Sequence, residues 1–167
     1  RGTYVTPIRI DPFTVSIEDK LAVLMAADEL VRRHRDVKVS AGRVISVRQH
    51  KTFANTEGAL LEQTIYESGG AISATAVRGN EIQVRSYPDA FRCQATAGWE
   101  YILAAQLSEH AERVASEAVE LLTADNCPSK TTALILDSSQ IALQIHESCG
   151  HPTELDRVYG TEAAFAG

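Results

Sequence analysis

The chain has 167 residues, enough for one domain with a real core or two small ones, and its 44% hydrophobic and 23% charged residues are an ordinary balance for a soluble globular protein. A net charge of −6 disfavours any role that rests on neutralising phosphates, so no nucleic-acid partner is expected. No apolar run approaches a membrane span, no signal peptide is visible, and three cysteines (Cys93, Cys127, Cys149) without CxxC spacing argue against a disulfide framework; the expectation is a reducing compartment.

The chain starts at Arg1 rather than methionine and stops at Gly167, which suggests a piece of a longer protein. Thr3 to Phe13, with Pro7 and Pro12, reads as an extended lead-in. Ser16 and Asp19 resemble a capping box with Asp in place of Glu, opening a helix over Ile17–His34. Ile17, Leu21, Leu24, Met25, Leu30 and Val31 form its apolar stripe. The basic cluster Arg32-Arg33-His34-Arg35 complements the helix dipole at its end.

From Val37 to Arg92 the pattern is β. Val37 and Val39 alternate with polar residues, Val44 to Ala54 forms a second run, and Leu60 to Glu67 returns after the turn Asn55-Thr56-Glu57-Gly58. Gly69-Gly70 reads as another turn before Ile72–Val77, and Arg78-Gly79-Asn80-Glu81 as a tight hairpin into Ile82 and Val84. Together these predict an antiparallel meander. Phe91 to Tyr101 is ambiguous.

Ser108 is expected to cap a helix over Glu109–Thr123, with Ala111, Val114, Ala115, Ala118, Val119, Leu121 and Leu122 on its buried face. After Asn126-Cys127-Pro128 comes an apolar strand, Thr132–Leu136. Ser138 or Ser139 then caps a third helix through Ile141, Leu143 and Ile145. The prediction is an α+β fold, a mostly antiparallel sheet with packed helices, divided into residues 1–130 and 131–167.

That third helix leads into His146-Glu147-Ser148-Cys149-Gly150-His151. Histidine is the commonest protein ligand for zinc, and two of them on one ion must bring their nitrogens within a few ångströms. The usual spacing is i and i+4; at i and i+5 the residues lie about 140° apart on a regular α-helix. A π-bulge absorbs the extra residue. Gly150 tolerates unusual backbone angles, and Pro152 disfavours α geometry at His151. Glu147 is the candidate general base, placed to take the proton of a zinc-activated water as it attacks a carbonyl. His34, His50 and His110 have no ligand-like neighbours and read as surface residues.

The pattern His146-Glu147-x-x-Gly150-His151-x-x-Glu154-x-Asp156, with Gly160-Thr161 after it and the helix and meander before it, resembles the motif of the TldD/PmbA family of bacterial and archaeal metallopeptidases. The resemblance is to the TldD-like, motif-bearing subunit. It implies His146 and His151 as Zn2+ ligands and Glu147 as base. It also implies a third ligand, a cysteine thiolate in a downstream C-terminal region absent from this chain, for which Cys149 is no counterpart. Glu154 and Asp156 would orient the histidines through their other ring nitrogens, with a direct Glu154–zinc bond less favoured.

The resemblance further implies a cytoplasmic heterodimer with a PmbA/TldE-like paralogue subunit, cutting unfolded peptides such as precursors of modified peptide natural products, or small unstable proteins. The family's older label, modulator of DNA gyrase, finds no support in the acidic charge. One alternative is a non-catalytic scaffold or pairing module with a degenerate motif, against which the intact His146, Glu147 and His151 argue. Another is a cysteine hydrolase using Cys149 and His151, whose side chains would point in different directions on one helix.

Overall fold

In the computed structural model, which describes residues 1–88 and 93–162, the chain divides into two units, Arg1–Asn126 and Cys127–Gly167. The first contains β1 (Gly2–Val5), α1 (Ile17–Val31), β2 (Val37–Ala54), β3 (Leu60–Arg78), β4 (Glu81–Tyr87), β5 (Gln94–Ala95), α2 (Glu100–Ala104) and α3 (Leu107–Leu121). The second contains α4 (Ser138–Ile145), a π-helical turn His146–Gly150, a 3-10 turn His151–Thr153 and α5 (Leu155–Val158). The fold is α+β.

β3 is the spine of the sheet. β2 runs antiparallel along its whole length; β4 and β5 pair antiparallel on the other side, and β1 adds a parallel edge through Leu61 to Thr64. The lead-in is therefore partly a strand, and the sheet is mixed though mostly antiparallel. The two predicted turns that join strands hold for local reasons. Gly58 adopts φ 87° and Asn55 Oδ1 accepts from the Ala59 N–H at 2.9 Å, closing the first. Gly79 adopts φ 61° in the second, where only glycine escapes the steric penalty.

Gly69-Gly70 is not a turn. It lies inside β3, and the two runs predicted in each strand fuse into single strands. The glycines serve close approach: a Cβ on Gly69 would collide with the Cys93 carbonyl oxygen and lie 3.0 Å from Gln94 Cα, where β5 crosses. The Gly70 N–H donates to that same carbonyl at 2.9 Å. Composition signals a glycine pair without saying whether it bends the chain or admits another. Phe91 and Arg92, at the end of the predicted β region, lie outside the described residues.

α1 and α3 pack on the sheet over Ile72, Ala74 and Ala76. From α3 come Ala111, Val114, Ala115 and Ala118, all buried as predicted, together with Leu107, which the predicted face did not include, whereas Leu121, predicted on that face, is exposed. Fully burying a side chain such as Leu107 or Val114 contributes about 1.5–3 kcal/mol. The α3 start differs from the prediction: the N-cap is Gln106, in the left-handed region at φ 47°, and Ser108 lies within the first turn. Leu107, anchored in the core, begins the helix one residue before the hydroxyl could cap it.

α1 matches its Ser16 cap, whose Oγ accepts from the Asp19 N–H at 3.0 Å, and half of its predicted stripe: Val31 is in the core and Leu24 and Leu30 pack against it. Ala27 and Val31 are buried, while Ile17, Leu21 and Met25 are exposed. Its core face is Ala27 and Val31, with Val23, Leu24 and Leu30 packed around them. Glu100 then ties the lead-in to α2, accepting from the N–H groups of Arg9, Ile10 and Gly98 at 3.0–3.2 Å.

In the second unit, residues 131–137 form no strand. The apolar run pairs with nothing among the described residues, and a strand without a ladder partner leaves its backbone groups unmatched; Ile135 is 94% exposed. α4 is capped by Asp137 rather than by a serine: its carboxylate accepts from the N–H groups of Ser139 at 2.9 Å and Gln140 at 3.2 Å. No helix among the described residues is long and apolar enough to cross a membrane.

Candidate metal centre

α4 carries the chain into the motif with its α-helical hydrogen bonding intact up to His146. The next turn widens, and the His151 N–H donates to the His146 carbonyl, five residues back rather than four. This is the distortion that the five-residue spacing requires. It brings the two imidazoles edge to face, with centroids 4.3 Å apart and planes at 71°.

The backbone reaches this geometry without unusual angles. Gly150 lies at φ −64°, ψ −62°, and a Cβ there would meet nothing closer than the Ile145 carbonyl at 3.9 Å, so its conformational freedom is not used. His151 stays in the α region at φ −60°, ψ −43° despite preceding Pro152. The chain accommodates the proline by tightening into the 3-10 turn and turns extended only at Glu154, φ −65°, ψ 137°. Thr153 Oγ1 donates to the carbonyls of Gly150 at 2.8 Å and Cys149 at 3.1 Å, groups that the end of the helix leaves over.

Glu147 approaches both rings: its carboxylate oxygens are 3.9 Å from His146 Nε2 and 3.8 Å from His151 Nε2. One ligand atom from each of the three residues falls within 4.8 Å of the others. Those distances are too long for hydrogen bonds and leave room for an ion or a water. His151 is 26% exposed, His146 and Glu147 more than half, so the cluster opens to one side.

Glu154 meets His151 from behind, with Oε1 3.0 Å from Nδ1. A carboxylate only accepts, so Nδ1 carries the proton and Nε2 presents its lone pair toward Glu147. Asp156 contacts neither histidine. Its carbonyl accepts from the Thr161 N–H at 2.7 Å, and its carboxylate from the Arg157 N–H at 2.9 Å. It belongs to a second acidic group, Glu154, Asp156 and Glu162.

Two imidazoles, one of them with its far nitrogen bonded to a carboxylate, suit zinc better than a hard oxygen-seeking cation. Cys149 is exposed and stands outside the three-residue group. His50 instead engages Thr64 Oγ1 at 3.0 Å, and His110 stacks on Tyr87 with centroids 3.8 Å apart.

Sequence reasoning missed Arg157 and Glu162. Arg157 Nε donates to Glu162 Oε2 at 3.0 Å and lies 3.6 Å from Glu154 Oε2. The available signals were an Arg three residues after Glu154 and a glycine at 160. Gly160, at φ 71°, ends α5 in a Schellman arrangement: its N–H donates to the Arg157 carbonyl and the Thr161 N–H to that of Asp156. That reversal returns residue 162 to Arg157.

Comparison with known proteins agrees with this chemistry. Residues 10–124, more than half of the chain, match the family model described as the PmbA/TldA metallopeptidase central domain. The match ends before the histidine motif. A protein of Synechocystis sp. named a metalloprotease is 29% identical over 94% of this chain, and one of Archaeoglobus fulgidus, also named a metalloprotease, is 26% identical over 95%. The chain covers 33% and 35% of those proteins, about a third of their length.

Proposed function

The chain belongs to the PmbA/TldD family of metallopeptidases, and from that premise we propose that it supplies the zinc-binding and general-base segment of a peptidase acting on unfolded peptides or small proteins. The observation that carries the reading is the π-helical turn, which brings histidines five residues apart together with both Nε2 atoms within 4 Å of one carboxylate.

His146 and His151 would hold the ion, with Glu154 fixing the tautomer of His151. The ion supplies Lewis acidity, acidifying water and polarising the peptide carbonyl. Glu147 takes the proton from the attacking water and returns it to the leaving amine, a role its position near the two nitrogens suits. Two protein ligands are one short of the usual catalytic zinc set, so the third comes from the rest of the protein, as the family resemblance implies for a downstream cysteine. A paralogous PmbA/TldE-like subunit as partner and a cytoplasmic setting belong to the same reading.

The test is Glu147→Gln in the full-length protein. Gln keeps the shape but accepts no proton under working conditions, so cleavage of an unfolded peptide should fall by about 10²–10⁴-fold while zinc content stays at the wild-type level. His146→Ala and His151→Ala should lose metal and cleavage together. Near-wild-type turnover in Glu147→Gln would end the general-base assignment. Absence of zinc from the wild-type protein would favour a non-catalytic scaffold.

A further inference from the structure

Glu154 divides its two oxygens between different partners. Oε1 lies 3.0 Å from His151 Nδ1 and Oε2 lies 3.6 Å from Arg157 Nε. Arg157 is itself held, donating from Nε to Glu162 Oε2 at 3.0 Å, and its side chain is 17% exposed against 48% for Glu154. The more exposed carboxylate is thus flanked by a ring on one side and a sheltered guanidinium on the other.

We propose that Arg157 is a positioning residue for the metal site, holding Glu154 in the orientation that fixes His151. The inference rests on the zinc-site reading above. Its physical content is electrostatic. A glutamate alone on the surface samples many rotamers, and the entropy of ordering it opposes its bond to His151. The Arg157 guanidinium, 3.6 Å from Oε2 with its Nε hydrogen given to Glu162, attracts that oxygen by charge and leaves Oε1 toward Nδ1. Glu162, returned to Arg157 by the Gly160 reversal, offsets the charge that would otherwise draw Glu154 away from the ring toward Arg157. The relay runs Glu162, Arg157, Glu154, His151, and all four belong to one unit.

Loss of a partner that orients a metal-bound histidine typically weakens metal affinity about 10–100-fold. Arg157 acts one step further out, so its removal should fall at the low end, roughly 10-fold.

The experiment measures zinc affinity of the full-length protein by chelator competition, with the visible spectrum of the cobalt-substituted protein as a second readout. Arg157→Ala should weaken zinc about 10-fold and shift the cobalt spectrum in the same sense as Glu154→Gln. Arg157→Lys, which keeps the charge and is the gentler change for folding, should recover part of the loss. In a Glu154→Gln background, Arg157→Ala should have no further effect. An equal additional loss in that background, or no loss in either single Arg157 variant, overturns the proposal. His146→Ala, measured alongside, separates the two readings. Unchanged zinc affinity there sinks the metal site itself. Zinc lost there but retained in Arg157→Ala sinks only the positioning role.

Discussion

The amide of His151 donates to the carbonyl of His146, so the two candidate ligands are joined through the backbone as well as across the site. One hydrogen bond closes a turn that is one residue wider than an α-helical turn. Sequence spacing and metal geometry are reconciled at that bond.

It follows that spacing can be edited in one direction only. Deleting Cys149 leaves His-Glu-x-x-His, whose histidines share a face of an ordinary helix, so the full-length protein should still bind zinc. Inserting an alanine after Ser148 sets the histidines six residues apart, a spacing that neither turn brings together, and zinc should be lost. Retention of zinc by the insertion would show that the wide turn is not what assembles the site. Cys149→Ala should leave zinc content unchanged, since Cys149 stands outside the ligand group.

The 167-residue chain on its own should hold well under one equivalent of zinc after dialysis. It offers two imidazoles, while Glu154 is engaged by His151 and Arg157. Metal analysis of the purified chain checks this. A stoichiometric, dialysis-resistant ion would mean that a third ligand lies within these residues.

Two glycines should respond oppositely to alanine. Gly69→Ala places a methyl group against the Cys93 backbone, and backbone cannot step aside cheaply. Overpacking of this kind costs about 1–3 kcal/mol. Gly150→Ala meets only ordinary contact at 3.9 Å and φ −64°, so it should be neutral or stabilising by up to about 1 kcal/mol. Urea unfolding of both variants decides the matter.

Glu100 should make the first unit sensitive to acid. Burial raises its pKa, but N–H donors from Arg9, Ile10, Gly98 and its own backbone more than offset that, leaving the carboxyl below its ordinary value of 4.5. The folded form therefore holds its proton less tightly than the unfolded form. The resulting stabilisation is complete above pH 4.5 and drains away as pH falls from there through the folded value. Glu100→Gln should be less stable than wild type at pH 7, and the gap should close toward pH 3. A constant gap across that range would mean the carboxylate charge is not what matters.

Much of this molecule was legible beforehand because it depends on local chemistry. The α3 stripe, the Gly58 and Gly79 turns and the need for a bulge between His146 and His151 are each settled within a few residues. What escaped is settled by distant partners. Gly69-Gly70 has turn composition, but its role is decided by Cys93, more than twenty residues away. Thr132–Leu136 has strand composition, but a strand exists only when something pairs with it. At the site, Glu154 was placed by resemblance, whereas Arg157 becomes visible only once the Gly160 reversal has folded residue 162 back.

The pairing of β2 with β3 runs without interruption from Ser40 opposite Ala74 to Ala54 opposite Leu60, with its irregularity confined to Val37/Val39. Such a ribbon behaves like a ratchet with one setting. Removing a single residue anywhere along it reverses the phase of all that lies between the cut and the hairpin tip, exchanging inner for outer side chains. Tolerance of length change should therefore be concentrated at the tip, residues 55–58, where an added residue costs little beyond loop entropy. Along the legs, even conservative chemistry cannot compensate for a shift in count.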